Sequence, residues 1–169
     1  MKKELILGII GAGRIGRLHT QHLTTRIAHV RVKAVSDVIV KAAEDCASTF
    51  NIPEYSQDYG KILADPEIDA VVICSSTDSH APIMMEAARA GKHIFCEKPI
   101  ALDLKKIDHA LEEVKKHGVK LQIGFNRRFD SNYRRIRELV ESGAVGEPHI
   151  LKITSRDPVS YTHLRAHET

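Results

Sequence analysis

A run of glycines set between an aliphatic stretch and a helical one leaves this chain of 169 residues little choice of fold. Leu5 to Ile10 (LILGII) is uncharged and apolar without alternation, and it ends at Gly11-Ala12-Gly13-Arg14-Ile15-Gly16. Such a run reads as a strand buried on both faces, as in parallel sheets. After Gly13, the residues Ile15, Leu18, His22 and Leu23 recur at helical spacing, and Val30 to Ser36 reads as a second strand. A G-x-G-x-x-G that closes a strand and opens a helix in a β-α-β unit fits a dinucleotide-binding turn. The first glycine permits the turn, the second admits a pyrophosphate to the backbone, and the third lets helix and strand pack closely. The free N–H groups at the helix start hold the anion. Gly11, Gly13, Arg14, Ile15 and Gly16 are therefore candidate cofactor contacts.

The second strand runs into Asp37, 21 residues beyond Gly16. A carboxylate there accepts hydrogen bonds from adenosine ribose hydroxyls and repels a 2′-phosphate, so NAD is expected rather than NADP. Val38 offers that phosphate no guanidinium, and Arg31 sits at the far end of the strand.

The alternation continues with a helix over Val40 to Phe50, an extended piece around Tyr55, a helical turn near Asp58 to Leu63 and a strand over Ala70 to Cys74. Pro82 at the first turn of a helix through Ala90, with Gly91 after it, follows the Pro-first, Gly-last asymmetry. A strand over His93 to Cys96 comes next. Leu104, Ile107, Leu111 and Val114 then predict an amphipathic helix over Leu104 to His117 that stops at Gly118, before a strand over Val119 to Ile123. Strands alternating with helices predict an α/β fold with a right-handed, doubly wound parallel sheet, a Rossmann domain over 1–124. Beyond it, Arg127, Arg128, Arg134, Arg135 and Arg137 share a helical stretch ending near Gly143, and His149 to Thr154 alternates like a half-buried strand. Residues 125–158 are thus expected to form a connecting helix and the first strand of a second α/β domain that is cut short.

Composition narrows the function. Hydrophobic residues make up 43%, charged residues 28%, and Trp is absent, which implies an aliphatic core and excludes disordered or collagen-like classes. A net charge of +3 is too small to imply a nucleic-acid or membrane partner. The arginine-rich helix also carries Glu138 and Glu141 without interleaved aromatics, the pattern of a solvated face. Cys46, Cys74 and Cys96 form no CxxC pair and suggest neither a disulfide framework nor a zinc site, so buried thiols in a reducing, cytoplasmic setting are expected. His19 and His22 could supply half a metal site, but no third ligand is evident; a polar helix face is expected and no metal. The first apolar run is broken after six residues, too short for a signal or a membrane span.

Two further turns carry chemistry. Ser75-Ser76-Thr77-Asp78-Ser79-His80 follows the fourth strand and Glu97-Lys98-Pro99 the fifth, and ligands of open α/β sheets bind at these carboxyl ends. Ser76, Thr77, His80, Glu97 and Lys98 join the candidates. Pro99 fixes its turn, with either isomer of the preceding bond open. Together with GAGRIG, these motifs resemble the Gfo/Idh/MocA oxidoreductase family. The runs Gln122 to Asp130 and Thr154 to Pro158 are similar to its inositol 2-dehydrogenase members, and the resemblance covers nearly all of residues 1–158.

The resemblance implies NAD-dependent oxidation of myo-inositol at C2 to a keto-inositol, in a parent protein that is a homo-oligomer. The lysine matching Lys98 lies beside the nicotinamide, where its ammonium hydrogen-bonds the hydroxyl and stabilises developing alkoxide. Arg127 and Arg128 either orient polyol hydroxyls, contact the cofactor or begin a solvated basic helix. The family's D-x-x-x-H pair, which supplies the general base, has no counterpart here, since Asp157 is followed by Pro158-Val159-Ser160-Tyr161. Residues 159–169 depart from the family and read as a non-native tail, so His163 and His167 are not taken as catalysts. The expectation is the cofactor-binding part of a truncated oxidoreductase, inactive alone. The alternatives are a related enzyme for another sugar or cyclic polyol, or a non-catalytic NAD-binding fragment.

Overall fold

The structure, a computed structural model, describes residues 4–154. Six parallel strands form one sheet: β1 (Leu5–Ile10), β2 (Val30–Ser36), β3 (Glu54–Ser56), β4 (Ala70–Ile73), β5 (His93–Cys96) and β6 (Leu121–Ile123), in the order β3-β2-β1-β4-β5-β6. β1 is central, pairing with β2 on one side and β4 on the other. The winding direction reverses between β1 and β4, so the turns that leave these strands diverge and open a crevice at the carboxyl end of the sheet.

Helices cover both faces. Leu7 and Ile9 of β1 point to the layer formed by α1 (Arg14–Thr25) and α2 (Val40–Phe50), where they meet Val35, Ala43, Cys46 and Ala47. Ile10 faces the opposite layer of α3 (Gly60–Ala64), α4 (Thr77–Arg89) and α5 (Leu104–His117), among Ile73, Met84, Ala88 and Ile94. The register of β1 on β2 shifts between Leu7 and Gly8, where β2 has one extra residue. That residue, Lys33, turns out to Asp65 and to Glu67, 2.6 Å away, while Val32 and Val35 both stay on the α1/α2 side. α5 starts at Asp103, whose carboxylate accepts the Lys105 N–H at 2.8 Å, and ends at Gly118 with φ 66°.

Several expectations need correction. α4 begins at Thr77, so Pro82 sits inside it rather than in its first turn. A proline there removes the helical bond to the Asp78 carbonyl, but the buried face of His80, Ala81, Ile83, Met84, Ala87 and Ala88 outweighs that loss. The stripe assigned to α5 is also displaced: Leu104 is 77% exposed and Leu111 40%, while Ala110 and Val114 are buried. The small side chains of Ala87, Ala88 and Ala110 let α4 and α5 share one core. On α1, Leu18 is likewise exposed. The turn near Asp58 becomes helical only at Gly60, whose N–H the Asp58 carboxylate accepts at 2.7 Å. The sixth strand starts at Leu121, not Val119.

A second compact unit begins at Asn126, with a 3₁₀ turn over Asn126–Phe129 and α6 over Ser131–Glu141. Asp130 caps α6 by accepting the N–H groups of Asn132 and Tyr133, and its arginines pair along the helix, Arg135 with Glu138 and Arg137 with Glu141. His149 to Thr154, expected as a strand, is irregular, and Ile150 is 90% exposed. Alternation alone does not make a strand. A ladder needs a neighbour, and no described residue pairs with this stretch. Asp157, Pro158 and the stretch 159–169 lie outside the described residues. No helix among the described residues is long and apolar enough to cross a membrane.

Ile9, fully buried in the central strand, tests the packing. Ile9→Ala is expected to lower the free energy of unfolding by about 2–5 kcal/mol, read from urea denaturation followed by circular dichroism.

Candidate active site

The three glycines of the first turn answer to different demands. Gly11 has φ 101°, and a Cβ there would lie 2.5 Å from the Cys74 carbonyl carbon. At Gly16 a Cβ would lie 1.8 Å from the Gly11 carbonyl oxygen. The chain itself requires both. Gly13 is different: its φ is −68°, and a Cβ there would meet nothing within 4 Å. It caps α1 without any side-chain hydrogen bond, and the first turn holds no acidic residue. The helix thus presents its positive end without a side-chain cap, with Arg14 exposed and Ile15 half-buried beside it. A pyrophosphate fits this cradle, and its approach is what a side chain at position 13 would obstruct.

Asp37 closes the adjacent side. Its Oδ2 accepts the Ala12 N–H at 2.7 Å and its Oδ1 the Ile39 N–H at 2.8 Å. The carboxylate therefore shapes the glycine turn, and each oxygen retains a lone pair for a further donor. Val38 is 79% exposed and carries no charge, while Arg31, at the other end of β2, lies 3.5 Å from Glu4.

Across the crevice, Ser76 precedes α4 in extended conformation, Thr77 opens the helix, and the hydroxyls of Ser75 and Ser79 hydrogen-bond at 2.7 Å. His80 is buried, 2% exposed. Its Nδ1 lies 2.8 Å from the Pro99 carbonyl and its Nε2 2.9 Å from that of Ser75. Both nitrogens are thereby committed to tying the turn after β4 to the turn after β5. The Lys98–Pro99 peptide bond is cis.

Glu97 is the most constrained polar group of the site. Its Oε1 accepts a hydrogen bond from His19 Nε2 at 2.8 Å, and its Oε2 accepts the Lys98 N–H at 3.2 Å. A Cβ at Gly124 would lie 2.8 Å from Oε1, so a side chain there would displace the carboxylate from this position. Burial pushes the Glu97 carboxyl up, but the His19 hydrogen bond and charge, the Lys98 N–H and the Lys98 ammonium outweigh it, leaving the group below the ordinary glutamate value. Lys98 itself is exposed, and its ammonium has no hydrogen-bond or ion-pair partner among the described residues. The neighbouring thiols are not nucleophiles. Burial first, then the Glu97 charge, pushes Cys96 up to about 12 and Cys74 higher still, and all three cysteines are free.

The structure thus gathers the glycine turn, Asp37, Ser76, Thr77, Glu97 and Lys98 at one end of the sheet, with His80 behind them. His19 was expected only on a polar helix face, and Gly124 was not read as a site residue. His19 is not simply part of a polar helix face, because it stands one turn beyond Gly16, edge-on to Phe95 at 5.0 Å and bonded to Glu97. The spacing from Gly16 was the available signal. Arg127 belongs to the second unit, where it reaches Asp130 at 3.4 Å and stacks over Tyr133 at 5.2 Å. Among the described residues no group of three or more His, Cys, Asp or Glu could hold a metal ion.

A doubly wound sheet whose glycine turn opens α1 at the switch point without a side-chain cap defines the dinucleotide-binding Rossmann class. The chain belongs to the Gfo/Idh/MocA family: the model of this oxidoreductase family, with its NAD-binding Rossmann fold, matches residues 5–125. The chain is 51% identical over 158 residues to the uncharacterized oxidoreductase YrbE of Bacillus subtilis, covering 94% of this chain and 46% of that protein. It is 43% identical over 152 residues to myo-inositol 2-dehydrogenase of Thermotoga maritima, covering 90% and 45%. The crystal structure of myo-inositol dehydrogenase from Lactobacillus casei in complex with NAD(H) and myo-inositol superposes with a TM-score of 0.80 at 33% identity, covering 85% of this chain and 43% of that one. The chain spans about half the length of the curated relatives it matches.

The lowered Glu97 carboxyl gives a pH signature. A group depressed on folding stabilises the fold above its unfolded value, and that contribution is lost as pH falls through the folded one. Asp65, Asp78 and Glu113 are depressed too, so the difference between wild type and Glu97→Gln isolates this residue. Denaturant titrations are expected to show wild type losing more stability than Glu97→Gln as pH drops below 4.5, the ordinary glutamate value.

Proposed function

We propose that this chain is the NAD-binding part of an oxidoreductase that oxidises a secondary hydroxyl of a cyclic polyol, with myo-inositol at C2 as substrate and a keto-inositol and NADH as products. The observation that carries the reading is Lys98: an exposed ammonium, unpaired among the described residues, beside a turn built for a dinucleotide. The names of the inositol dehydrogenase relatives supply the substrate. When bound, NAD accepts the hydride. The N-terminus of α1 at Gly13 to Gly16 holds the pyrophosphate, Asp37 holds the adenosine ribose, and Ser76 and Thr77 line the crevice with hydroxyls. Lys98 donates a hydrogen bond to the substrate hydroxyl and stabilises the alkoxide charge that grows as the carbinol C–H gives up its hydride. Glu97 and His80 serve by fixing the turn that carries Lys98.

The hydroxyl proton needs a separate acceptor. The family's Asp and His pair has no counterpart in this sequence, so the 169-residue chain is expected to bind cofactor without turning over polyol. We assign residues 1–124 to cofactor, 125–158 to the start of a substrate domain and 159–169 to a non-native tail, in a cytoplasmic, homo-oligomeric parent. A second reading, a related enzyme for another sugar or cyclic polyol, is favoured by one observation: an uncharacterized oxidoreductase shares 51% identity with this chain, more than the 43% of the Thermotoga maritima inositol dehydrogenase.

Fluorescence titration tests the cofactor. NADH is expected to bind more tightly than NADPH, and Asp37→Ser to narrow the gap by about 1.5–3 kcal/mol, the value of a hydrogen bond to a charged group. Equal or tighter NADPH binding overturns the assignment. Lys98→Met is expected to keep NADH affinity within about threefold. In a chain extended through a substrate domain it is expected to lower turnover with myo-inositol by about 10²-fold or more, measured across a polyol panel that also separates the two readings.

A further inference from the structure

Glu97 and Lys98 are sequence neighbours of opposite charge at the end of β5, and an unrestrained carboxylate there would be the natural partner of the lysine ammonium. In the structure the two side chains form no hydrogen bond or ion pair, although the Lys98 charge is felt at the Glu97 carboxyl. One carboxylate oxygen takes the His19 Nε2–H, the other takes the Lys98 backbone N–H, and the group lies where a side chain at position 124 would displace it. His19 is in turn fixed edge-on against Phe95 and carried by α1, the helix that starts at the phosphate-binding turn. We propose that His19 is a positioning residue: by occupying Glu97 it keeps the Lys98 ammonium free for substrate, and it makes that freedom depend on where α1 sits.

Two other roles for His19 fit less well. Its Nε2 faces a carboxylate and so carries the proton it donates, which removes that nitrogen as a proton acceptor. A metal half-site with His22 lacks further ligands among the described residues. The proposal rests on the reading of Lys98 as the residue that meets the hydroxyl. It does not depend on which polyol is bound.

The test reads Lys98 directly in the 169-residue chain. Acetic anhydride labels accessible amines, and peptide mass spectrometry gives the acylation rate of Lys98 relative to the exposed Lys106. His19→Leu is expected to release Glu97 onto Lys98 and slow its acylation at least about threefold, as a half-unit change in its free-amine equilibrium would. His19→Gln, whose amide N–H can reach Glu97, is expected to restore the wild-type rate, and so is Glu97→Gln added to His19→Leu. An unchanged Lys98 rate in folded His19→Leu overturns the proposal. If His19→Leu does not fold, Glu97→Gln alone decides. A Lys98 rate within about threefold of wild type supports the proposal, and a larger rise shows that Glu97 already pairs with the ammonium and overturns it. NADH titration of the wild-type chain is a separate readout. Its failure would remove the proposed function and leave the acylation result standing.

Discussion

The site depends on one close approach, that of the turn leaving β1 to the backbone leaving β4. Gly11, at positive φ, lies against the Cys74 carbonyl, and Gly16 lies against Gly11 in turn. This contact brings the N-terminus of α1 to the switch point of the sheet and faces it toward the turn where α4 begins. A side chain at either glycine would push backbone against backbone, with no flexible group to give way. The crevice is therefore made by main-chain packing, and the polar side chains are placed on it afterwards.

Those side chains act mostly on one another's turns. Asp37 ties the end of β2 to the glycine turn through Ala12, His80 ties the turn after β4 to the turn after β5, and Glu97 ties the turn after β5 to α1 through His19. Three charged or ionisable groups that read in the sequence as ligand contacts thus also serve as internal braces. The Lys98 ammonium at this end of the sheet braces no turn: it is exposed and makes no hydrogen bond or ion pair among the described residues.

The sheet was legible because its signals are local. The expected limits of β1, β5, α2 and α5 coincide with the structure, since apolar runs and glycine stops such as Gly11 and Gly118 are written in consecutive residues. Pro82 misled because a buried helical face overrode a local breaker. His149 to Thr154 misled because alternation needs a partner strand. In the site, Asp37, Glu97 and Lys98 could be found from their places at strand ends. His19 could not be paired with Glu97 in the same way, since 78 residues separate them and only the packing of α1 on β5 joins them. Gly124 was equally silent, for its lack of a side chain matters only once Glu97 lies against it.

The unequal duties of the three glycines divide the damage that substitutions in this turn can do. At positions 11 and 16 the folded backbone itself has no room, so a replacement reduces how much native protein exists. At position 13 the polypeptide has space to spare, so a replacement leaves the quantity of folded protein alone and, with the turn holding a pyrophosphate as proposed, strikes at its occupancy. A short motif therefore contains two kinds of lesion, one that a cell would meet as a loss of protein to quality control and one that it would meet as an abundant, empty protein.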